Sequence, residues 1–393
     1  MRELSGKTIR PKCKYYSECG GCQLQYLSYE DQLVLKENQV KKLMGNLCDV
    51  NEIIGTESPY IYRNKSHYTF AKNRKNMVIS GMYAKNSHSV IDIDTCIIQN
   101  ENSDKIVQTI KSMMKSFKME PYNEDSRTGF LRHILIKNGV NTGEYLVVLV
   151  VGDKVFPGKK NFVKALLKKH PEITSIVLNV NNRKTSVVLG DYETTIYGKG
   201  FIEDILCGKR FRISSKSFYQ INPIQTEKLY KKAIEMANIN KDEIVIDAYS
   251  GIGTISIVAA DYAKKVIGVE LNRDSVRNAI SNAKINKADN VYFINKDAGE
   301  YMVEKSLKGE KVDLVIMDPP REGSDENFLS SVVKLSPKKV VYISCNPETQ
   351  ERDVKYLIKH DYKIKEIQPV DMFPQTNHVE SIILMTYCGL GEK

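Results

Sequence analysis

The sequence predicts an α/β protein with a doubly wound C-terminal domain, and two patterns indicate this fold class. After residue 210, short apolar segments such as VIGV and LVIM alternate with amphipathic segments of helical period, as a parallel sheet covered on both faces requires. Before residue 210 the pattern is mostly β-rich, with Asn, Gly and Asp at the turns. The 393 residues therefore divide into a cysteine-rich segment with a helix (1–50), a β-rich basic domain (51–210) and the α/β domain (211–393).

The first two parts contain three predicted helices. In the segment 28–46, apolar residues recur near one face and Gly45 is a suitable stop, and further helices are expected at 102–118 and 159–169. The predicted strands of the β-rich domain are YIYRNKSHYTFAK, NMVISGMY, HSVIDID, GFLRHILIKNG, GEYLVVLVV, SIVLNVN and KTSVVLG.

Strands and helices alternate in the third part, as in a doubly wound sheet. The predicted strands are EIVIDAYSG, KVIGVEL, VYFINKD, VDLVIMDPP, KVVYISCNP and a late pair around IKEIQPVDMF and SIILMTYCG. The predicted helices cover 222–237, 253–262, 273–286, 325–334 and 348–360, with none between VYFINKD and VDLVIMDPP.

Composition excludes several classes of protein. With 41% hydrophobic and 27% charged residues, the chain is not wholly disordered. No apolar run approaches the roughly 20 residues of a membrane span, and the N-terminal MRELSGKTIRPKC lacks the apolar core of a secretory signal. We therefore expect a cytoplasmic protein without membrane association, whose eight cysteines are thiols or metal ligands. We also expect it to be a monomer.

Positive charge is concentrated in the first 210 residues, which carry 32 Lys and Arg against 22 Asp and Glu, whereas the remainder carries 26 of each. The stretch 58–91 has no acidic residue and interleaves cations, among them Arg63 and Lys65, with tyrosines and a phenylalanine. Cations for phosphates and flat rings for unpaired bases suit RNA or single-stranded DNA. The alternative is a solvated strand face with core tyrosines.

A glycine pair favours a nucleoside cofactor in the third part. Gly251 and Gly253 follow the strand EIVI and open a helix, and Glu270 ends the next strand nineteen residues after Gly251. An acid at that position can accept hydrogen bonds from both ribose hydroxyls. The third glycine of the dinucleotide pattern is replaced by Ser256, which favours S-adenosylmethionine over a nicotinamide cofactor.

Three further side chains suit methylation of carbon 5 of uracil. Asp318, in Asp-Pro-Pro-Arg, and Cys345, in Ser-Cys-Asn-Pro, each follow a strand and should face the ligand crevice, although a lone cysteine is more often a buried small hydrophobe. Carbon 5 becomes nucleophilic once a thiolate adds to carbon 6, and a base must later remove its proton. Glu380, in His-Val-Glu, is a candidate base, whereas His378 could equally be an exposed loop residue.

These motifs together resemble the RNA uracil-5-methyltransferase family, over nearly the whole chain. The resembling segments are Asp-Pro-Pro-Arg-x-Gly (318–323), Ser-Cys-Asn-Pro-x-Thr (344–349), His-Val-Glu (378–380) and Phe218-Tyr219-Gln220-Ile221-Asn222. The resemblance implies a Rossmann-like S-adenosylmethionine-dependent methyltransferase domain and an RNA substrate. It also implies roles for individual residues: Cys345 as nucleophile, Glu380 as base, Phe218 at the flipped base, and Gln220, Tyr249, Glu270 and Asp318 at the cofactor.

Four cysteines form a second motif. Cys13, Cys19 and Cys22 are close in sequence, and Cys96 follows in Asp-Ile-Asp-Thr-Cys. Their spacing alone suits zinc or an iron–sulfur cluster, or no ligand. The set resembles the branch of the family that methylates 23S ribosomal RNA, whose four cysteines hold a [4Fe–4S] cluster, and this implies a structural iron–sulfur segment. The remaining cysteines outside the catalytic motif, Cys48, Cys207 and Cys388, are expected to be structural.

The expected activity is therefore methylation of carbon 5 of a specific uridine in 23S ribosomal RNA through a covalent cysteine adduct. Only twelve residues precede Cys13, so we expect no N-terminal β-barrel RNA-binding domain of the kind found in many relatives. Two alternatives stay open: a tRNA uracil-5-methyltransferase, and an iron–sulfur RNA-binding protein with a non-catalytic methyltransferase domain.

Overall fold

A computed structural model describes residues 1–389 and contains two large sheets and a separate hairpin. The strands are β1 (Lys65–Lys72), β2 (Val78–Tyr83), β3 (Val90–Asp92), β4 (Leu131–Asn138), β5 (Tyr145–Val151), β6 (Ile173–Val180), β7 (Tyr192–Tyr197), β8 (Phe201–Leu206), β9 (Lys209–Ser214), β10 (Ile244–Ala248), β11 (Lys265–Glu270), β12 (Val291–Asn295), β13 (Leu314–Met317), β14 (Lys339–Ser344), β15 (Tyr362–Val370) and β16 (Glu380–Tyr387). The helices are α1 (Tyr29–Met44), α2 (Glu101–Met113), α3 (Lys159–Lys169), α4 (Pro223–Ala237), α5 (Thr254–Ala259), α6 (Arg273–Ile285), α7 (Ala298–Leu307), α8 (Glu326–Leu335) and α9 (Pro347–Ile358).

The C-terminal sheet confirms the predicted α/β fold class. Its strand order is β12-β11-β10-β13-β14-β16-β15, with β10 to β14 parallel and β16 antiparallel to both of its neighbours. The order reverses between β10 and β13, so the crevice at the carboxyl ends of these strands is the expected ligand site. Strand β13 is buried at all four of its residues, which agrees with its uninterrupted apolar sequence.

Local sequence explains where the helices that border this crevice begin. Asn222 caps α4 and Asn346 caps α9, each accepting a hydrogen bond from a backbone N–H of the first turn. A proline follows each asparagine at the first helical position, where its missing N–H costs nothing. The segments that carry Gln220 and Cys345 therefore end at fixed helix starts.

The central sheet has the order β3-β2-β1-β4-β5-β6-β7, and β4 and β5 are buried along their whole length. One face packs on α2 and α3, where Ile106, Ile110 and Phe162 join the core. The other face contributes Leu135, Val148 and Val177 to a core shared with the hairpin β8–β9 and with α4. The two large sheets are thus joined through a common hydrophobic core.

Helix α1 belongs to the core of the C-terminal domain although it lies in the N-terminal segment. Val40 and Met44 pack with Val354, Leu357 and Ile367 of α9 and β15. The expected domain boundary at residue 210 falls inside β9, so the hairpin β8–β9 spans it.

Several predicted elements were wrong. The helix expected over 102–118 ends at Met113, because the following residues turn back and the Met119 N–H bonds to the Met114 carbonyl. The segment KTSVVLG is irregular, since the Asn181 side chain donates to the carbonyls of Val187 and Val188 in place of a strand partner. Strands β7 to β9 and helix α7 were not predicted. Gly299 in the first turn of α7 weakens its helical signal.

Among residues 1–389, no helix is long and apolar enough to span a bilayer.

Candidate active site and cysteine site

Strand register brings the expected nucleophile and base together. Ser344 at the end of β14 pairs with Ser381 of the antiparallel β16, so Cys345 leaves the sheet at the edge where Glu380 enters it. Met317 pairs with Tyr342 on the other side of β14, which brings Asp318 to the same edge. Three side chains that lie far apart in sequence therefore meet at the carboxyl end of the sheet.

Glu380 is held in a dry, electronegative position. Its side chain is 2% exposed, and its Oε2 atom has no hydrogen-bond partner among the described residues. Burial, with the nearby Asp318 carboxylate, raises the pKa of Glu380 well above its usual value, and Arg321 offsets part of this rise. Burial also raises the pKa of Asp318 to about 7. An unpaired buried carboxylate of raised pKa is suited to accept a proton.

Both acids and a nearby cation affect the pKa of the Cys345 thiol. Burial raises its pKa to about 11, with smaller contributions from Glu380 and Asp318, while Arg321 opposes them by its charge and a hydrogen bond. Arg321 also lies 3.2 Å from His378, measured from Nη2 to Nε2. The exposed His378 has a lowered pKa, first because of desolvation and then because of Arg321.

Arg321 is a candidate functional residue that sequence reasoning missed. It was read only as part of the Asp-Pro-Pro-Arg motif, without a role of its own. The signal that could have found it is its position three residues after Asp318, on a proline-stiffened loop at the strand end. Its charge lowers the pKa of the Cys345 thiol, and its carbonyl accepts a hydrogen bond from the side chain of Asn346, the residue after Cys345, at 3.0 Å.

The loop that carries Phe218 and Gln220 is attached to the central sheet. The Lys137 ammonium, in a 6% exposed residue, donates to the carbonyls of Ser214 (2.8 Å) and Ser217 (2.6 Å). The Asn64 amide donates to the Gln220 carbonyl at 3.0 Å. Phe218 is 63% exposed on this otherwise anchored loop, so its ring is available to a ligand.

The glycine-containing loop after β10 is tightly turned. Tyr249, Gly251 and Gly253 all have positive φ, and a Cβ at Gly253 would lie 2.5 Å from the Phe293 ring, so only glycine fits there. The Gly251 N–H donates to Glu270 Oε2 at 3.0 Å, which places this carboxylate at the loop.

A groove of about 920 Å³ adjoins this loop. Tyr249, Asp297, Pro320 and Ser324 are among the residues that line it. Burial raises the pKa of Tyr249 to about 12, so its hydroxyl stays protonated and can donate to a ligand. Asp247, 1% exposed beneath the loop, accepts a hydrogen bond from the Ser256 hydroxyl, and its pKa is raised to about 7 by burial.

The four cysteines of the second motif share one cavity. Cys13, Cys19, Cys22 and Cys96 all line a space of about 150 Å³, and none of them is in a disulfide. Burial raises the pKa of Cys22 to about 11 and of Cys96 to about 12. Across residues 1–389, no three His, Cys, Asp or Glu side chains are grouped closely enough to hold a single metal ion.

The surroundings of the cavity fit an anionic group bound by thiolates. Arg63 lines the same cavity, its Nε atom is buried without a partner, and its charge opposes the rise in the pKa of Cys22. The backbone N–H of Cys96 donates to Asp104 at 2.8 Å, which fixes the loop that carries the distant thiol. A guanidinium without a full set of acceptors would compensate the negative charge of a four-thiolate group.

Much of the basic stretch 58–91 serves the core. Tyr68 and Phe70 are 0% and 2% exposed, so they cannot stack on bases. Arg63 lies at the cysteine cavity, and Lys65 is partly buried, with a pKa lowered by desolvation and then by Arg63. The exposed members of the stretch include Lys72, Arg74, Lys75, Tyr83 and Lys85.

Comparison with protein families finds one model that spans most of the chain. Residues 28–387 match the model described as tRNA (Uracil-5-)-methyltransferase. An uncharacterized RNA methyltransferase of Staphylococcus aureus (strain N315) is 42% identical over 385 residues, covering 97% of this chain and 85% of that protein. A protein of the same description from Clostridium tetani is 43% identical over 393 residues, covering 99% and 85%.

A solved structure is similar over the same extent. The crystal structure of Pyrococcus abyssi tRNA (uracil-54, C5)-methyltransferase in complex with S-adenosyl-L-homocysteine has a TM-score of 0.79 and 30% identity. The match covers 93% of this chain and 86% of that chain, so both large sheets are included.

Proposed function

Because the chain belongs to the tRNA (uracil-5-)-methyltransferase family of S-adenosylmethionine-dependent RNA methyltransferases, we propose that it methylates carbon 5 of a specific uridine in 23S ribosomal RNA. One observation carries the chemical part of this proposal. Cys345, the unpartnered Glu380 carboxylate and Asp318 meet at the carboxyl edge of the sheet, beside Arg321. A nucleophile and a separate buried base are what carbon 5 methylation of uracil needs.

The reaction begins at Cys345. Its thiolate, favoured by the adjacent Arg321, forms a bond to carbon 6 of uracil, and the ring electrons shift so that carbon 5 becomes nucleophilic. S-adenosylmethionine would supply the electrophilic methyl group to carbon 5 and would be left as S-adenosylhomocysteine. Glu380 then accepts the carbon 5 proton, the bond between sulfur and carbon 6 breaks, and Cys345 leaves as a thiolate.

The remaining site residues bind and orient. Gln220, Tyr249, Glu270 and Asp318 hold the cofactor. Tyr249 lines the groove, and Glu270 lies at the glycine-containing loop, where it can accept hydrogen bonds from the ribose. The exposed ring of Phe218 stacks on the target base once it leaves the RNA stack, a contact that aromatic side chains often make with unpaired bases.

The cysteine cavity is proposed to hold a [4Fe–4S] cluster. Four free thiols on one cavity, with a guanidinium beside them, fit the donor set and the charge of such a group. Cys13, Cys19, Cys22 and Cys96 are the ligands, and the cluster ties residues 13–22 to the loop before α2.

The cysteine site also supports ribosomal RNA as the substrate, through the resemblance to that branch of the family. The assay uses 23S RNA and tRNA carrying tritium at carbon 5 of uridine. Release of tritium from 23S RNA, with one modified uridine mapped, is the expected result. Release from tRNA alone would overturn the ribosomal assignment.

A tRNA substrate is the second candidate, and a specific observation favours it. The similar structure from Pyrococcus abyssi is a tRNA (uracil-54, C5)-methyltransferase that matches 93% of this chain at 30% identity. The same pair of labelled substrates separates the two candidates. Release of tritium from tRNA and not from 23S RNA would establish the tRNA substrate instead.

A further inference from the structure

The segment that leads to Glu380 is held by the N-terminal part of the chain. The backbone N–H groups of Gln23 and Leu24 both donate to the Gln375 carbonyl, at 2.9 and 3.0 Å. Gln375 has a φ of +70°, a left-handed conformation that is unusual for a non-glycine residue. Such a conformation persists only where surrounding contacts hold it in place. Here the contacts come from the N-terminal part of the chain, and Gln32 is 343 positions away from Gln375 in the sequence.

Helix α1 supplies a second set of bonds to the same residue. The Gln32 side chain is 1% exposed. Its amide oxygen accepts from the Gln375 N–H at 3.0 Å, and its amide nitrogen donates to the Gln375 side-chain oxygen at 3.1 Å. Both backbone polar groups of Gln375 are therefore bound by the segment that runs from Gln23 to Gln32.

A buried ion pair fixes the start of the loop. Lys36 Nζ lies 2.6 Å from Asp371 Oδ1, with side-chain exposures of 1% and 0%, and it also donates to the Phe373 carbonyl at 3.0 Å. The Tyr29 hydroxyl donates to the other Asp371 oxygen at 2.9 Å. Because these groups are removed from water, each needs its partner, and the loop cannot shift without leaving charges unpaired.

We propose that Gln32 and Lys36 are positioning residues for proton removal from carbon 5, acting through the loop 371–377 that sets the position of Glu380. This inference rests on the proposed role of Glu380 as the base. The loop is bonded to α1, to the residues that directly follow Cys22, and to Asn222 and Gln225 at the start of α4. Among the described residues, Glu270 and the glycine-containing loop have no hydrogen bond to α1 or to Gln23 and Leu24, and the bonds from α4 do not involve Gln32. Removing the hydrogen bonds from Gln32 to this loop should therefore slow elimination and leave cofactor binding unchanged.

The direct test uses Gln32→Leu, with Asn38→Leu as the matched control on the same helix. Within residues 1–389, the Asn38 side chain bonds only to the backbone of Arg2, away from the loop. In single-turnover reactions on uridine RNA, we expect elimination in Gln32→Leu to slow on the order of tenfold to a hundredfold, since misplacement of a reacting group by about 1 Å has such costs. A methylated protein–RNA adduct should accumulate on a denaturing gel, and the affinity for S-adenosylhomocysteine should stay within about twofold of the parent.

Two further measurements keep the test decisive. Hydrogen exchange of a peptide covering 371–377 should speed up in Gln32→Leu and not in the control, whatever the substrate proves to be. Gln375→Gly suits the positive φ and keeps the backbone bonds while removing the side-chain contact, so it should give a smaller effect of the same kind.

The proposal is overturned by unchanged elimination in Gln32→Leu, or by a loss of cofactor affinity equal to the loss in elimination, which would indicate general disruption of the fold. If the parent protein never forms an adduct with 5-fluorouridine RNA, the covalent mechanism is wrong, and the positioning role is wrong with it even if hydrogen exchange at 371–377 changes in Gln32→Leu. If the parent forms that adduct and Gln32→Leu behaves as Asn38→Leu does, only the positioning role fails.

Discussion

Replacing the proposed base by its amide should trap the reaction after methyl transfer. Glu380→Gln conserves the volume of a side chain that is 2% exposed and whose Oε2 has no partner, so the packing around it is retained. The amide cannot accept the carbon 5 proton, whereas Cys345 can still add to carbon 6. The covalent adduct between protein and RNA should therefore accumulate on ordinary uridine substrate.

The expected size of the effect follows from the isolation of this carboxylate. A positioned general base contributes roughly 100-fold to 10,000-fold, which is about 2.7 to 5.4 kcal/mol at about 1.36 kcal/mol for each factor of ten. The other acid at this edge of the sheet is Asp318, which is partly exposed and whose pKa is raised to about 7. Because Asp318 is assigned to the cofactor, we expect the effect of Glu380→Gln to lie toward the upper part of this range, and an effect near the lower end would indicate that Asp318 accepts the proton instead.

The assay follows label from the methyl group of S-adenosylmethionine into a band that resists denaturation. Glu348→Gln, at an exposed position in the first turn of α9, is the control and should turn over normally. Normal turnover by Glu380→Gln would refute its role as the base. An adduct without methyl label would mean that Glu380 acts before methyl transfer.

The acidity of Glu380 gives the parent protein a matching pH dependence. Its pKa is raised by burial, so the carboxyl is still protonated at a pH where an ordinary glutamate is ionised. A protonated carboxyl cannot accept the carbon 5 proton, and the elimination step should therefore slow as the pH falls. Parent protein quenched under mildly acidic conditions should show the adduct that Glu380→Gln shows at neutral pH.

The remaining predictions concern the nucleophile, the cysteine site and stability. Cys345→Ala should abolish methylation while cofactor affinity, measured by calorimetry, stays near that of the parent; activity within about tenfold of the parent would exclude covalent catalysis. Anaerobically purified protein should contain about four iron and four sulfide per chain. Cys96→Ser should remove the colour of the cluster and lower RNA affinity more than cofactor affinity, whereas Cys207→Ser should have neither effect. Stoichiometric zinc without iron would contradict this assignment. Burial raises the pKa of Asp247 to about 7, compared with about 3.9 in the unfolded chain. Protonated Asp247 therefore stabilises the fold at low pH, and this contribution to the free energy of unfolding is lost as the pH rises from about 3.9 to about 7. The free energy of unfolding of Asp247→Asn, measured relative to that of the parent in denaturant titrations, should therefore rise by about 2 kcal/mol between about pH 5.5 and about pH 8. A difference between the two proteins that does not vary with pH would contradict this reasoning.

The sequence predicted the meeting of Asp318 and Cys345 because both directly follow buried strands, and parallel strands end at one edge. Glu380 was proposed because the chemistry requires a base, but no local pattern predicts its approach to Cys345, which depends on the antiparallel pairing of β16 with β14. The fold class was predictable for the same reason: apolar runs and helical periods are local properties of the chain.

Other features depend on contacts between distant segments, which no local pattern encodes. Arg63 was expected at the RNA surface, and its position beside Cys22 follows from the packing of the N-terminal segment against the central sheet. The bonds from Gln32 to Gln375 link residues 343 positions apart. Hydrophobic periodicity predicts which face of α1 is buried, but it does not predict which loop that face holds.

The most direct test of the central claim is capture of the nucleophile on its substrate. Parent protein is mixed with S-adenosylmethionine and target RNA containing 5-fluorouridine, whose fluorine cannot leave as a proton does, and the stable adduct is digested and sequenced by mass spectrometry. The expected product is a methylated 5-fluorouridine bonded through carbon 6 to the peptide that contains Cys345. The absence of an adduct, or an adduct at any other cysteine, would contradict it.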